Sequence, residues 1–378
     1  MKNVKIIALH LAYGGIEKAV ISTANLLADR YNVEIISVYN MPGGPAFPID
    51  ERVKVSYLLK DIPNKEEWKA AVRDKNAGAF IKESTKSLKI LRQKKIAVIN
   101  TIKSIHEGVI ITTRNEDNVL LSKYGDKNVL KIAQLHQDHG FDKKLLADFK
   151  KNYEGIDIFT LLTQELVEEV KNIMCGNKHT QIVCVPNFLQ KIPNSVDFEK
   201  KEKTVLAVGR LDRVKGFDRL IRCFKKVSEE CPDWKLKIAG AGEEKENLET
   251  IISELQLSDS VELLGKLDAI QVEDEMLKAS VFAMSSYSEG FPFVLLEAQS
   301  CGLPVAAFDV RVGPRAVLTD GEDSFLVKDG DESEFSERII QLINSKQLRE
   351  EMGRNAMENM QKFSPEHLYK IWTELIGD

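Results

Sequence analysis

Strand-like and helix-like segments alternate along this 378-residue chain, and that alternation constrains the fold more than any other feature. Apolar runs such as VKIIALHL and VEIISVY are typical of buried strands, whereas IEKAVISTANLLADR has the apolar spacing of a helix. The pattern continues to Val185-Pro186-Asn187 and restarts at TVLAVGRL. Each half therefore predicts an α/β unit, with a parallel sheet covered by helices on both faces.

The length of the chain also favours two domains, because one hydrophobic core seldom serves so many residues. We predict Rossmann-like domains over residues 1–186 and 187–363, the second beginning with the linker NFLQKIPNSVDFEKKEK. Helical segments over 333–362 and 365–376 close the chain, broken at Ser364-Pro365. Ligands of open parallel sheets bind beyond the carboxyl ends of the strands, so two facing sheets would share a ligand in the cleft between them.

Between these landmarks, further segments are assigned by their apolar pattern. Residues 64–95 predict lysine-rich helices, and IAVIN, GVIITT and KIAQLH predict strands, the last ending at His136. In the second half, WKLKIAG, VELLG, SVFAMSS and PVAAF predict strands, and GFDRLIRCFKKVSEEC and EKENLETIISELQL predict helices.

Composition argues against several classes of protein. No apolar run approaches the roughly 18 residues of a membrane span, and no small-residue cleavage site follows the first apolar stretch, which we interpret as a strand. The five cysteines are odd in number and lack C-x-x-C spacing, which argues against a zinc site or a disulfide framework. These features favour a cytoplasmic protein.

Charge is distributed unevenly between the halves. Residues 1–186 carry 28 Lys and Arg against 22 Asp and Glu, whereas residues 187–378 carry 25 against 36. This difference fits either random scatter or a first half that faces an anionic partner. The helix KESTKSLKILRQKK, residues 82–95, has six cations and one anion. It could contact anionic lipid at the inner face of the membrane, or it could be a solvated helix whose apolar side packs on its domain.

The stretch SSYSEGFPFVLLEAQSCGLPVAAF, residues 285–308, contains two glutamates eight positions apart. Glu289 follows a predicted strand, and Glu297 lies inside a short apolar helix where an ionised carboxylate needs partners. Pro292 suits the first turn of that helix and Gly302 its end. Sugar hydroxyls are suitable partners for such carboxylates. The alternative is a capping carboxylate followed by a salt-bridged one.

The amides around Gly290, Phe291 and Pro292 belong to the N-terminus of the same predicted helix, which favours anionic or polar oxygen ligands. In AVGRLDRVKGFDRLI, Gly209 ends a strand, and Arg210 and Lys215 follow on a loop. Two cations at that position can clamp a diphosphate, or they can be ordinary solvated surface cations.

Two further motifs lie in the first half. In AYGGIEKA, Gly14 and Gly15 permit close backbone approach before a helix, although a simple tight turn would use them equally. In KIAQLHQDHGF, His136 and His139 follow a strand, and no third ligand is spaced nearby for a metal. A role as a surface or capping residue is the alternative for both histidines. Arg114, in ITTRNEDN, is a candidate for facing a phosphate.

The 285–308 stretch closely resembles the E-x7-E signature of retaining glycosyltransferases of the GT-B fold, especially glycosyltransferase family 4. The matched residues are Ser286, Glu289, Gly290, Phe291, Glu297, Ala298, Gly302, Pro304 and Val305. The resemblance implies two Rossmann-like domains facing across a cleft, with the donor held by residues 187–363 and the acceptor by residues 1–186. It also implies that the helix over 364–378 packs back on the first domain.

The resemblance further implies roles for individual residues. Glu289 would contact the donor sugar and Glu297 the ribose, while Arg210 and Lys215 would hold the diphosphate. His136 would point at the donor sugar and take part in catalysis, and His139 and Arg114 would lie toward the acceptor. The remaining implied donor contacts are Gly15, Gly209, Gly290, Phe291 and Pro292.

The implied activity is that of a hexosyltransferase of the GT4 type. It would move a hexose from a nucleotide diphosphate sugar, expected to be a UDP-sugar, to a glycan or lipid-linked oligosaccharide, as in bacterial surface polysaccharide synthesis. The resemblance favours retention, whereas the residues alone also allow inversion with His136 or Asp138 as the base. We expect no metal and no other cofactor, because Asp329-Gly330-Asp331 precedes a helix that Asp caps. No nucleic-acid partner is expected. A sugar-nucleotide epimerase of similar fold and a non-catalytic nucleotide-sugar-binding subunit remain alternatives.

Overall fold

A computed structural model describes residues 1–193 and 195–377, which form two compact units. The first unit contains Met1–Val185 and the residues from Tyr369 onward, and the second contains Pro186–Leu368. The sequence prediction placed the boundaries at 186/187 and 363/364. Asn194, in the predicted linker, and Asp378, in the predicted terminal segment, lie outside the described residues.

The first unit contains a seven-stranded sheet in which every paired strand is parallel, in the order β3-β2-β1-β4-β5-β6-β7. The strands are β1 Asn3–Ala8, β2 Asn32–Tyr39, β3 Lys54–Leu59, β4 Val109–Thr112, β5 Leu130–Gln134, β6 Ile158–Leu161 and β7 Gln181–Cys184. The helices are α1 Gly15–Leu27, α2 Lys65–Arg73, α3 Ala77–Lys103, α4 Asn115–Tyr124, α5 Lys143–Asn152 and α6 Gln164–Ile173. The direction of strand succession reverses between β1 and β4, and such a switch point is where open α/β sheets bind ligands.

The second unit contains a six-stranded parallel sheet in the order β10-β9-β8-β11-β12-β13, and its switch point lies between β8 and β11. The strands are β8 Thr204–Val208, β9 Lys235–Ala239, β10 Val261–Gly265, β11 Val281–Met284, β12 Val305–Asp309 and β13 Ser324–Lys328. The helices are α7 Phe217–Glu230, α8 Lys245–Glu254, α9 Ala269–Lys278, α10 Phe293–Ser300, α11 Pro314–Val317, α12 Glu332–Asn344 and α13 Lys346–Asn359. Helix α14, Pro365–Ile376, begins in this unit and belongs to the first unit from Tyr369 onward. Short 3₁₀ helices cover Phe198–Lys200, Arg213–Lys215 and Met360–Phe363.

The end of α14 contacts the first unit. Lys2 Nζ donates to the carbonyl of Ile376 at 2.9 Å, and the hydroxyl of Tyr31 donates to the carbonyl of Gly377 at 3.1 Å. The side chain of Trp372 is buried. These contacts fix the last turns of the chain beside β1 and the end of α1.

Four assignments from the sequence were wrong in detail. IAVIN, predicted as a strand, is part of α3, whose buried face continues through Ile90, Lys94, Val98 and Ile102 at a spacing of four residues. Short apolar runs do not distinguish a strand from a buried helix segment. The prediction also missed the strands β3 and β13, and it merged α12 and α13, which Ser345 separates by capping the second helix.

Despite its length, α3 is not a membrane span. Within the described residues, we find no helix that is both long enough and apolar enough to cross a bilayer.

Candidate functional site

The switch point of the second unit brings together the two motifs singled out in that half. Arg210 lies just beyond the end of β8, and Lys215 ends the following 3₁₀ helix. Glu289 lies on the loop after β11, the strand that pairs with β8. The parallel sheet therefore places both cations and the first glutamate at one edge, as the sequence prediction requires.

Lys215 and Glu289 form an ion pair at this edge. Lys215 Nζ lies 2.6 Å from Glu289 Oε1, and only 8% of the glutamate side chain is exposed, against 24% for the lysine. An ammonium group has three donors and a carboxylate has two oxygens, so each group retains hydrogen-bonding capacity beyond this contact. The pair can therefore present a cation and a carboxylate oxygen to one ligand.

The glycine after Lys215 is required by its surroundings. Gly216 has φ +62°, and a β-carbon there would lie 2.1 Å from the carbonyl oxygen of Ser285. The hydroxyl of Ser285 in turn donates to the carbonyl of Lys215 at 3.1 Å. This close approach of the two loops, which only glycine permits, positions Lys215 beside Glu289.

Glu297 lies half-buried in the second turn of α10, the helix that follows Glu289. Pro292 occupies the cap position before the first helical residue, and Gly302, with φ +66°, follows the helix end. The amide of Gly302 donates to Gln299 and that of Leu303 to Ala298, which is a Schellman motif. Strong signals at both ends explain why this helix was predictable.

The loop before α10 is anchored by a residue from the predicted linker. The side chain of Phe291 is buried, and its carbonyl accepts a hydrogen bond of 3.2 Å from Asn187 Nδ2. The amides that follow Gly290 therefore lie on a loop that is held in place.

Arg210 differs from Lys215 in its surroundings. Its side chain is 75% exposed, and Nη2 lies 2.9 Å from Asp212 Oδ2. Exposed pairs of this kind contribute little to stability, so the guanidinium can exchange partners at low cost. Gly209, its neighbour, lies beside the aliphatic stem of Lys215, and an added β-carbon there would be 3.5 Å from Lys215 Cγ.

Sequence analysis missed Arg219, which organises the loop after β11. Its buried guanidinium donates from Nε to the carbonyl of Ser285 at 2.6 Å and from Nη2 to that of Ser286 at 2.5 Å. The same group lies 4.1 Å from the ring centre of Tyr287 and 4.0 Å from that of Phe308. Arg219 lies near the end of the motif AVGRLDRVKGFDRLI, but nothing in the motif indicates that its side chain reaches the loop after β11, so only the tertiary structure reveals this role.

The Asp329-Gly330-Asp331 segment is engaged in structural contacts. Asp329 Oδ1 accepts from Arg219 Nη1 at 2.7 Å, and Asp331 caps α12 by accepting from the amide of Glu334 at 3.0 Å. Asp331 thus has the capping role predicted from the sequence. Among the described residues, no group of three or more His, Cys, Asp or Glu side chains is arranged to hold a metal ion.

In the first unit, the switch point between β1 and β4 carries a cluster of polar groups. The buried Glu17, in the first turn of α1, lies 3.4 Å from His10 Nδ1 and 3.4 Å from Arg114 Nη2. A β-carbon on Gly14 would lie 2.1 Å from Glu17 Oε2, whereas one on Gly15 would meet nothing within 4 Å. Gly14 therefore makes room for this carboxylate, and Gly15 faces open space that a ligand can approach.

His136 follows the end of β5 and is half-buried. Nε2 lies 3.3 Å from Gln134 Oε1, and Nδ1 has no hydrogen-bond partner among the described residues. Burial, together with the nearby charge of Arg114, lowers the pKa of His136 to about 4. The imidazole is therefore neutral near pH 7, and its contact with Gln134 favours the tautomer with the proton on Nε2.

His139 does not join these groups. Its ring is buried, Nδ1 accepts from the amide of Phe141 at 3.1 Å, and Nε2 lies 2.8 Å from Glu169 Oε2. These contacts use both ring nitrogens to hold the loop between β5 and α5. His139 therefore stabilises its own loop and does not lie beside Arg114 and His136.

A cavity of about 610 Å³ lies in the first unit at the carboxyl ends of its strands. Its floor includes Thr113, Arg114, Leu135 and His136, from the ends of β4 and β5. Its wall comes from α2 and α3 and includes Trp68, Ser87, Ile90, Leu91 and Lys94. No motif indicated this cavity, because α2 and α3 lie far from β5 in sequence.

Comparison with known proteins accounts for the second-unit site. Residues 189–359, which include Arg210, Lys215, Glu289 and Glu297, match the family described as "Glycosyl transferases group 1". We call residues 189–359 the group 1 domain, after the family that they resemble. The resemblance to glycosyltransferases predicted from the sequence is supported over these residues.

Two relatives are similar to this chain beyond the group 1 domain. An exopolysaccharide phosphotransferase of Streptomyces coelicolor is 29% identical over 97% of the chain, but the chain spans only 39% of that protein's length. A GalNAc-alpha-(1->4)-GalNAc-alpha-(1->3)-diNAcBac-PP-undecaprenol alpha-1,4-N-acetyl-D-galactosaminyltransferase of Campylobacter jejuni is 24% identical over all of the chain and 99% of the relative. The second similarity includes the first unit as well as the group 1 domain.

Among solved structures, a mutant of S. aureus TarM in complex with fondaparinux, alpha-GlcNAc-glycerol and UDP has a TM-score of 0.79. It is 16% identical, and the match covers 100% of each chain. At so low a sequence identity, the structural similarity establishes the fold and not the function. The predicted fold class, α/β with two Rossmann-like parallel-sheet domains of the GT-B type, is confirmed.

Proposed function

We propose that this protein is a retaining glycosyltransferase of family 4 that transfers a hexose from a nucleotide diphosphate sugar, most simply a UDP-sugar, to a glycan or lipid-linked acceptor in bacterial polysaccharide synthesis. The contact between Lys215 Nζ and Glu289 Oε1 at the β8/β11 switch point carries the proposal. A cation that could bind a diphosphate lies there next to a carboxylate that could accept hydrogen bonds from a sugar. The acceptor class is supported by the name of the Campylobacter jejuni relative, which acts on a glycan linked to PP-undecaprenol, and the donor class by the UDP in the TarM complex.

In the proposed reaction, the bond between the anomeric carbon and the diphosphate oxygen breaks, and the acceptor hydroxyl oxygen bonds to the same face of that carbon. The acceptor proton passes to the leaving phosphate, which departs as the nucleoside diphosphate. Lys215 and Arg210 stabilise the negative charge that develops on the leaving group, and the amides that begin α10 add to this effect. Glu289 orients Lys215 and accepts from sugar hydroxyls, and Glu297 accepts from the ribose.

Labelled UDP-, GDP-, ADP- and dTDP-sugars distinguish this activity from its alternatives. A transferase releases nucleoside diphosphate and attaches the labelled sugar to an acceptor. An epimerase would change the configuration of the sugar, and a non-catalytic subunit would bind without turnover. A preceding thermal-shift panel selects the nucleotide, because a ligand that binds only the folded state raises its melting temperature.

Activity should survive chelation. Two cations already supply countercharge to the diphosphate, and Asp329 and Asp331 are engaged by Arg219 and by the start of α12. Sugar transfer measured in excess EDTA should equal transfer in untreated protein. Loss of activity in EDTA, with recovery on adding Mn²⁺ or Mg²⁺, would contradict the metal-free site.

We also propose that α3 contacts an anionic membrane. Its outward side exposes Ile81, Leu88 and Ile96, with the leucine 68% exposed, while exposed Lys89 and Arg92 lie between them in sequence. Another side of the helix packs on the domain through Ile90, Val98 and Ile102, as the alternative interpretation of the sequence predicted, and the exposed leucine lies outside that packed side. Apolar side chains interleaved with cations suit a lipid surface that is both apolar and negatively charged.

Replacing Leu88 with glutamate should weaken this binding. The change removes an exposed apolar contact and adds a charge that anionic lipid repels. Flotation with phosphatidylglycerol vesicles should recover the unaltered protein and much less of L88E, and vesicles of phosphatidylcholine should recover little of either. Equal recovery of both proteins on anionic vesicles would contradict the membrane contact.

A further inference from the structure

Two loops of the second unit carry the ion pair of the candidate site. The first loop follows β8 and includes Lys215, and the second follows β11 and carries Glu289. The backbone amide of Tyr287, on the second loop, donates to the carbonyl of Val214 on the first at 2.8 Å. The separation of Lys215 from Glu289 therefore depends on the contacts that hold one loop against the other.

Arg219 joins these two loops through its side chain. It lies in the first turn of α7, the helix that begins directly after Gly216 at the end of the β8 loop. Its guanidinium donates to the consecutive carbonyls of Ser285 and Ser286 on the β11 loop. A planar group that binds two consecutive carbonyls fixes both their distance and their orientation. The backbone that leads to Glu289 is thereby held in one position relative to α7.

The remaining contacts of Arg219 hold the guanidinium itself in place. Nη1 donates to Asp329 Oδ1 at 2.7 Å, so each of the three nitrogens has an acceptor. The ring centres of Tyr287 and Phe308 lie 4.1 Å and 4.0 Å from its central carbon, and 4% of the side chain is exposed. A lysine carries the same charge but lacks the planar fork, so it cannot reproduce this set of contacts.

Stability alone does not explain a buried cation at this position. Removing a charge from water is costly, and replacing buried ionic groups with well-packed apolar side chains is often neutral or stabilising. The acceptors of Arg219 are two carbonyls of a loop and a carboxylate that is 47% exposed, rather than groups of the apolar core. What this arrangement provides is a defined geometry of the β11 loop.

We propose that Arg219 is a positioning residue for the carboxylate of Glu289. By holding the carbonyls of Ser285 and Ser286, it keeps Glu289 beside Lys215 and in place to accept from the hydroxyls of the donor sugar. The inference rests on the proposed transferase function for the role of Glu289. Arg219 then affects the reaction through Glu289, while its own nitrogens bind protein acceptors.

Arg219→Lys is the main variant, because it keeps the charge and removes the planar fork. Arg222→Lys is its matched control: Arg222 lies on the same helix, is 46% exposed and pairs with Asp218 on the surface. Asp329→Ala is a second variant, which removes one acceptor of Arg219 at a half-exposed position. Melting temperatures verify that each protein is folded, and Asp329→Ala provides the same measurements if Arg219→Lys does not fold.

The test is a double-mutant cycle on kcat for UDP release from UDP-glucose, UDP-galactose or their N-acetylated forms, whichever the unaltered protein uses. Arg219→Lys should lower kcat by about 100-fold, the effect of a displacement of about 1 Å in an active site, and leave affinity for UDP unchanged in calorimetry. In a Glu289→Gln background, the same change should lower kcat by about twofold or less, because residues that act through one interaction are not additive. Asp329→Ala should lower kcat less than Arg219→Lys does, and Arg222→Lys should turn over normally.

Equal effects of Arg219→Lys in both backgrounds, or a lower melting temperature with unchanged kcat, would overturn the positioning role. Unchanged kcat in Asp329→Ala would do the same if Arg219→Lys does not fold. A crystal structure of the folded variant gives a readout that needs no turnover, since the Glu289 carboxylate should have moved away from Lys215 Nζ. If the unaltered protein releases no UDP and this shift is seen, the transferase proposal fails and the positioning role stands. If UDP is released and Glu289 has not moved, the reverse holds.

Discussion

Replacing both Arg210 and Lys215 with alanine should lower sugar transfer by at least about 1000-fold, because removal of one group that stabilises developing charge typically costs about 100- to 1000-fold. The double variant removes both cations from the β8/β11 switch point and leaves the sheet intact. The measurement is turnover at saturating donor, with melting temperature recorded in parallel.

The interpretation of this variant needs a control for stability. Removing Lys215 leaves the largely buried Glu289 without its cation, and an unsatisfied buried group costs about 1–3 kcal/mol or more. Adding Glu289→Gln removes that charge, and the melting temperature of this variant shows whether the unpaired carboxylate accounts for any instability of the double variant. Arg213→Ala, an exposed cation in the same 3₁₀ helix, should transfer sugar normally. Normal turnover in the double variant would mean that the diphosphate site lies elsewhere.

Replacing Glu297 with alanine should lower affinity for the donor by about 10- to 100-fold, the effect of losing a hydrogen bond of about 1.5–3 kcal/mol to a charged group. Glu297 lies in the second turn of a helix that is capped at its end by a Schellman motif, so the backbone should persist. Calorimetry with UDP and with a UDP-sugar measures the loss.

Glu297→Gln is the matched variant, because it keeps the shape of the side chain and one acceptor oxygen while removing the charge. Its affinity should lie between those of the unaltered protein and E297A. Unchanged binding of UDP by the alanine variant would remove Glu297 from the nucleotide site.

Much of the fold could be predicted because its signals are local. Strand–helix alternation gave both parallel sheets, and Pro292 and Gly302 marked the ends of α10. The errors arose where local patterns are ambiguous: Ile96–Asn100 continues the helical face of Val98 and Ile102, although its apolar run also fits a strand. The edge strand β3 is only partly buried, so its residues lack the strong apolar signal of central strands.

The residues of the candidate site also differ in whether a local sequence signal identifies them. Glu289, Glu297, Arg210 and Lys215 lie in contiguous motifs and could be found from sequence. Arg219 reaches the β11 loop from the first turn of α7, and the contact between Glu17 and Arg114 joins residues about 100 positions apart. For His139 the local signal was misleading. Its position after a strand suggested a ligand-binding role, but its buried ring contacts Glu169. Tertiary packing decides such cases, and no spacing in the sequence encodes them.

A crystal structure with bound UDP tests the central claim most directly, since the claim is that the β8/β11 switch point holds the nucleotide diphosphate of the donor. We expect the β-phosphate within hydrogen-bonding distance of Lys215 Nζ and the ribose hydroxyls at the Glu297 carboxylate. A UDP molecule bound away from both residues, with Lys215 still paired only to Glu289, would contradict this account.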